Sequence, residues 1–315
     1  MNGSRESEAL SLPDWAHQLG RQGYRIFVSL VENYFRDRNM AIVIDHTKGV
    51  IRTQNGPLAF NGTLGLQNIA QACRQADRDQ WRDLITAHFD SIFQVSGNDS
   101  ALYIDPSDFE HIKHLLRARL YPVDILNHAV DVVHRPGPEG TIEALVLDLP
   151  TTVRTVSQSE TQGWSLSVSE ALDFGRENLR RSSALTQGIL SLDRGAHLKV
   201  FSGDHFYAAT HALFLDRYLP SDLPHGALVA IPRRDVLIVH DIHNMGVMEA
   251  AIPMLELIVS IHREGPGSLS PYLYWWRNGY FTVLPYEIDE DILTLAPTDE
   301  FIDMLDELGH VANMS

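Results

Sequence analysis

Apolar residues recur at helical spacing through Trp15, Leu19, Ile26, Phe27, Leu30, Val31 and Tyr34, which predicts a helix from Pro13 closing around Arg38-Asn39. The residues before it, 1–12, are small and polar and read as a disordered start. Three short strands are expected next, at Ala41–Asp45, Val50–Thr53 and Pro57–Phe60, because HTKG and QNG interrupt them. Asn55-Gly56 is a strong hairpin signal, since both residues tolerate positive φ. Helical spacing returns between Leu66 and Phe93, where Ile69, Cys73, Trp81, Leu84, Ile85 and Phe89 share one side. Residues 13–98 therefore read as an α-β-β-β-α module.

The pattern restarts near Ala101. Phe109–Ala118 reads as helical, Leu120-Tyr121-Pro122-Val123 leads into a loop, and RPGPEG at Arg135–Gly140 is a turn before a strand at Ile142–Leu149. Ser167 and Glu170 have the spacing of a capping box, and Val168, Ala171, Leu172, Gly175 and Leu179 follow on one helical face. A strand at His197–Phe201 and a helix near Phe206–Tyr218 come next, then strands at Ala227–Ile231 and Asp235–Val239. A helix over Val247–His262 carries Pro253, which predicts a kink or two joined helices. Pro271–Trp276 and Tyr280–Leu284 pair around Asn278-Gly279, and Thr298–Leu308 forms a last acidic helix with Thr298 as its cap and a solvated face.

The expected class is α+β: small antiparallel or mixed sheets covered by helices, in two or three consecutive units. Residues 99–290 form the larger part, and residues 291–315 the acidic C-terminal helix. Composition narrows the partners. The 315 residues are 44% hydrophobic and 21% charged, enough for a real core. Acidic residues outnumber basic ones by 41 to 25, for a formal charge of −16. Such a surface repels phosphate backbones and anionic lipid, so neither nucleic acid nor membrane is expected as a general partner, though one local basic patch is compatible with that total. Cys73 is alone and reads as a buried, inert thiol. The start MNGSRESEALSLPD lacks a hydrophobic signal core, and no apolar run approaches the ~20 residues of a membrane helix. A cytoplasmic location is the expectation.

Candidate chemistry gathers in RRDVLIVHDIHNMG, Arg233–Gly246. On a helix, His240 and His243 would share a face; on a strand they alternate, and the β-branched run before them argues for a strand. Asp241 and His243, with His205 or His211, remain a metal alternative. The reading adopted has no metal and no cofactor: a buried strand leaves the core, and Asp241 or Asn244 ties down backbone amides. Ser202-Gly203-Asp204-His205 puts polar groups at the start of a helix, a place where an anion can bind, and the reading adopted is that Asp204 caps the helix. None of GxSxG, GxxxxGK[ST], GxGxxG or HExxH is present. The rings of Trp275, Trp276, Tyr280 and Phe281 are too many for one side of a small hairpin to bury.

Several stretches resemble the YtpQ-like family, bacterial proteins built around a domain of unknown function. They are Leu120-Tyr121-Pro122-Val123; Leu145–Leu149 with Arg154; Gly163-Trp164 opening a helix that closes on Glu177-Asn178-Leu179-Arg180; and Gly203-Asp204 with Ala208. The fullest match is Pro232, Asp235-Val236-Leu237-Ile238, Asp241-Ile242 and Asn244. The resemblance spans most of Ala41 to Leu284 and implies the order of elements, with no activity to carry over. His240 and His243 stand where that pattern has Ala and Arg, and Tyr207 and Thr210 where it has Asp and Arg. Attention moves to Asp204, Asp235, Asp241 and Asn244.

Two function classes follow. The first is a non-enzymatic protein that binds another protein or a peptide, through Trp275, Trp276, Tyr280 and Phe281 with Asp235 and Asn244, and with self-association allowed. The second is a hydrolase or small-ligand enzyme using Asp204, Asp241 and His243. An enzyme needs these groups to converge in a concavity; a binding protein needs an exposed apolar patch.

Overall fold

The computed structural model describes residues 12–55, 63–97, 107–127, 131–149, 153–182, 185–192, 196–203, 207–289 and 292–314. The chain divides into two compact units, Met1–Tyr103 and Ile104–Ser315.

In the first unit, the helix expected from Pro13 is split. A 3-10 helix at Asp14–Leu19 ends on Gly20, at φ 66°, and α1 (Gly20–Asp37) follows. α1 stops where the sequence placed its end. Asn39 adopts φ 56°, its N–H donates to Arg36 O, and Met40 N–H donates to Phe35 O, the paired hydrogen bonds of a Schellman cap. β1 (Ala41–Asp45), β2 (Val50–Asn55) and β3 (Thr63–Gly65) form an antiparallel sheet in that order. Both the strand expected at Pro57–Phe60 and Gly56 of the hairpin signal lie outside the described residues. Beyond them come α2 (Gln67–Arg74) and α3 (Trp81–Gly97). Phe27, Val31 and Phe35 of α1 meet Ile69 and Cys73 of α2 and Phe89 of α3 in one core. Burial pushes the Cys73 thiol up to about 12, so it packs as a small hydrophobe.

The second unit opens with α4 (Phe109–Ile112) and a 3-10 turn at Lys113–Leu115. The helix expected to reach Ala118 therefore ends early, and β4 (Leu116–Pro122) replaces its last turn. Leu116, Ala118 and Leu120 are buried at alternate positions, the period of a strand. β5 (His134–Pro136), β6 (Thr141–Asp148) and β7 (Val153–Thr155) complete an antiparallel sheet in which β6 pairs with each of the others. α5 (Val168–Ser182) begins at the foreseen capping box: Glu170 accepts from the Ser167 amide at 2.8 Å, and Glu170 N donates to Ser167 Oγ at 3.3 Å.

Gly175 lets α5 lie against β4, because a Cβ there would sit 2.8 Å from the Arg117 carbonyl carbon. One turn away, a buried charge fixes the helix. Glu143 of β6 is fully buried; it accepts from Arg135 at 2.8 and 3.1 Å and from Arg176 of α5 at 3.0 and 2.5 Å. Arg135 also pairs with Asp173 at 2.8 Å.

A second, six-stranded antiparallel sheet has the order β13-β12-β10-β11-β9-β8. Its strands are β8 (Thr186–Ser191), β9 (His197–Ser202), β10 (Ala227–Arg233), β11 (Val236–Asp241), β12 (Leu273–Arg277) and β13 (Tyr280–Leu284). α6 (Val247–Glu264) runs through Pro253 as one helix. This sheet is covered on both faces, as the continuous apolar run Val236–Val239 requires. Leu228, Val236, Ile238 and Trp275 pack against Met254 and Leu255 of α6. On the opposite face, Val229, Leu237, Val239 and Tyr274 meet Ala209, Ala212 and Leu215. Those three belong to a 3-10 segment, Ala208–Arg217, interrupted at Phe214 (φ −132°, ψ 36°), where an α-helix was foreseen. A short hairpin of β14 (Tyr286–Asp289) and β15 (Ile292–Leu295) leads to α7 (Asp299–Met314).

α7 is not simply a solvated acidic face. Phe301, Met304 and Leu308 point into the core, and Phe301 meets Trp275 edge to face at 5.2 Å. The Thr298 hydroxyl, foreseen as the cap, is buried with no hydrogen bond, although Asp299 and Glu300 do stand at the positive end of the helix dipole. The architecture is thus α+β, with small antiparallel sheets and helices packed on them. No described helix is long and apolar enough to cross a membrane.

Candidate functional site

Strand alternation decides the fate of the residues at the end of β11. Val236 and Ile238 face α6, so His240 continues that side, while Leu237, Val239 and then Asp241 turn to the other. His240 Nδ1 lies 2.9 Å from His197 O on the neighbouring strand. One Asp241 oxygen pairs with Lys199 of β9 at 2.5 Å; the other is buried without a hydrogen bond. His243 is exposed, 3.9 Å from Asp241. His211 is fully buried and shares a hydrogen bond with the Tyr218 hydroxyl. No three His, Cys, Asp or Glu among the described residues are placed to hold one ion. Asp204 and His205 lie outside the described residues.

The remaining polar candidates do not converge. Asp235 pairs with Arg233 at 2.6 Å in the turn between β10 and β11. Asn244 accepts from Gly246 N–H at 2.8 Å in the turn before α6, a backbone tie of the kind the sequence suggested. Between them lies β11, whose six residues at about 3.3 Å each hold the two ends roughly 20 Å apart. They cannot serve one small ligand.

The hairpin around Asn278-Gly279 forms as expected, with φ 51° and 85° at the two turn residues and Trp276 opposite Phe281. Its two tryptophans do face opposite ways. Neither opens a broad aromatic surface, because the sheet is covered on both sides. Trp275 is buried at 6% exposure and donates its indole N–H to His225 O at 2.8 Å. Trp276 and Phe281 are half-buried against the opposite core. Tyr280, at 77% exposure, is the ring left outside. The anticipated patch is therefore corrected: Trp275 is a core residue.

An exposed apolar surface exists elsewhere. Met245 and Met248, at the start of α6, lie beside Ile302 and Leu305 of α7 and line a depression of about 420 Å³. Met248 is 43% exposed and Ile302 41%, high values for large apolar side chains. Gly309 and His310 also line it, and a Cβ added at Gly309 would meet nothing within 4 Å, so the groove is open there. Asp306 lines the rim, and Asp303 and Glu307 are exposed on the same helix. The sequence carried half of this signal. Phe301, Met304 and Leu308 already marked α7 as amphipathic, but Ile302 and Leu305 fall off that stripe and read as ordinary helix surface. No known family model, curated protein or solved structure matches this chain.

Proposed function

We propose that the protein is a non-enzymatic binding module whose groove between α6 and α7 receives an amphipathic helix with an apolar face and basic flanks. The observation that carries this is the exposed Met245, Met248 and Ile302 cluster beside an acidic helix surface. Unbranched methionines adapt to varied apolar shapes, which suits a helix-in-groove mode of recognition. The carboxylates of Asp303, Asp306 and Glu307 supply the complement for basic flanks. Kinship with YtpQ-like proteins belongs to the same proposal and rests on the block from Ala227 to Asn244. The hydrolase alternative gains no support, since Asp241 is engaged by Lys199 and the groove is lined by none of the polar candidates.

Gly309→Leu tests the reading. A leucine there extends into the open groove and replaces a mid-helix glycine, so the fold should be unchanged or stabilised by about 0.5–1 kcal/mol. Affinity for a fluorescent model helix of alternating Leu and Lys blocks should fall about tenfold. An unchanged affinity would place the binding surface elsewhere.

A further inference from the structure

The six-stranded sheet ends in a strand that carries none of the usual protection of an edge. β8 is exposed at all six positions, with Ile189 at 67% and Leu190 at 40% exposure. β13, at the other edge, is half-buried from Phe281 to Val283. An open edge offers unpaired N–H and C=O groups to any extended chain, and folds ordinarily blunt it with Lys, Pro or a bulge. β8 reads Thr-Gln-Gly-Ile-Leu-Ser, with no charged residue and no Pro, and it pairs with β9 without a register shift.

The hydrogen bond just beyond the strand shows which groups are open. Leu192 N–H donates to Ala196 O at 2.8 Å, so the backbone of Leu192 faces the β9 side. Alternation then turns Thr186, Gly188 and Leu190 toward β9, and Gln187, Ile189 and Ser191 outward. No other described strand pairs with these three. They are spaced evenly about Ile189. A second copy, related by a two-fold axis beside Ile189, sets Gln187 against Ser191 and Ile189 against its own counterpart. Every outward N–H then meets an outward C=O. The side chains agree with that register: the exposed Ile189 lies beside its counterpart, and Leu190 stands opposite Gly188, which has no side chain to crowd it. Two copies of a chain with formal charge −16 repel one another, and this uncharged edge is where their approach is least opposed.

We propose that two copies of this chain pair their β8 strands, antiparallel about a two-fold axis at Ile189, and extend the sheet across both. The contact consumes the same edge of each copy, so it closes at a dimer. It shares no residue with the groove between α6 and α7. A single pair of six-residue strands falls below the ~1,200 Å² of a stable interface, so the dimer is weak and depends on concentration.

The test is sedimentation velocity of the full chain over a series from about 1 to about 500 μM. The wild type should pass from monomer to dimer and stop there. Ile189→Lys alters an exposed position, so the thermal midpoint of the monomer should be unchanged. Its dimerisation should weaken about tenfold, because like charges would stand side by side across the axis. Ile189→Glu should behave in the same way, and an equimolar mixture of the two variants should regain the dimer, since opposite charges then meet. A wild type that stays monomeric throughout the series overturns the proposal. So does a dimer that Ile189→Lys leaves unweakened, since the copies would then meet through another face. A mixture that stays monomeric overturns it as well, because the axis would not pass beside Ile189.

Discussion

Replacing Glu143 by Ala is expected to destabilise the second unit by about 3–5 kcal/mol, the range for removing one partner of a buried ionic network. Glu143 is fully buried and accepts four hydrogen bonds, two from Arg135 and two from Arg176. Its loss leaves both guanidiniums, only a quarter to a third exposed, without the carboxylate they share, although Arg135 keeps its pair with Asp173. It also releases α5, which is anchored beside the close approach of Gly175 to β4. Urea unfolding followed by far-UV circular dichroism would measure the loss. A midpoint close to the wild type would mean that α5 is held by its apolar face alone. Glu143→Gln should recover part of the loss, because the amide oxygen still accepts.

Ile238→Ala should cost roughly 2–5 kcal/mol, the range for truncating a core aliphatic side chain. The continuous run Val236-Leu237-Ile238-Val239 predicts a strand covered on both faces, and the structure places it third or fourth among six strands. Ile238 is 1% exposed, packed among the residues that meet α6. Denaturant unfolding of the variant should shift the midpoint without changing the m-value, since the surface exposed on unfolding is nearly the same. An unshifted midpoint would place β11 at the periphery of the fold.

What was legible in the chain was what neighbouring residues decide. The capping box at Ser167 and Glu170, the stop at Arg38-Asn39 and the turn at Asn278-Gly279 each need only a few residues, and each forms where the sequence placed it. The run at β11 carried its own two-faced burial. Errors arose where distant segments compete for the backbone. Residues 208–217 have helix-compatible spacing, but Ala209 N–H is drawn to Arg234 O while Thr210 N–H closes on Tyr207 O, and the segment tightens to a 3-10 helix. Leu116, Ala118 and Leu120 alternate like a strand but directly follow Phe109–Leu115, whose spacing is helical, and the boundary between the two periods was not visible.

The same distinction governs the sites. Polar residues crowd together in Arg233–Gly246, and that crowding drew attention to Asp235, Asp241, His243 and Asn244. In the fold they separate along β11 into an ion pair at Asp235, a half-buried salt bridge at Asp241 with the exposed His243 beside it, and a turn at Asn244. The groove is assembled from remote segments, Met248 of α6 with Ile302 of α7. No local pattern announces such a meeting.

The central claim, an apolar groove that takes a basic amphipathic helix, is tested most directly by the affinity of the model Leu/Lys helix for wild type and Met248→Glu. Met248 is exposed in the first turn of α6, where a carboxylate suits the helix dipole, so the fold should be preserved. The two modes of binding then predict opposite signs. If the apolar face of the peptide enters the groove, a charge at its wall should weaken binding about tenfold, measured by fluorescence anisotropy at physiological salt. If a basic peptide merely adheres to an acidic surface, one more negative charge should leave the affinity unchanged or raise it, and the groove would not be the binding site.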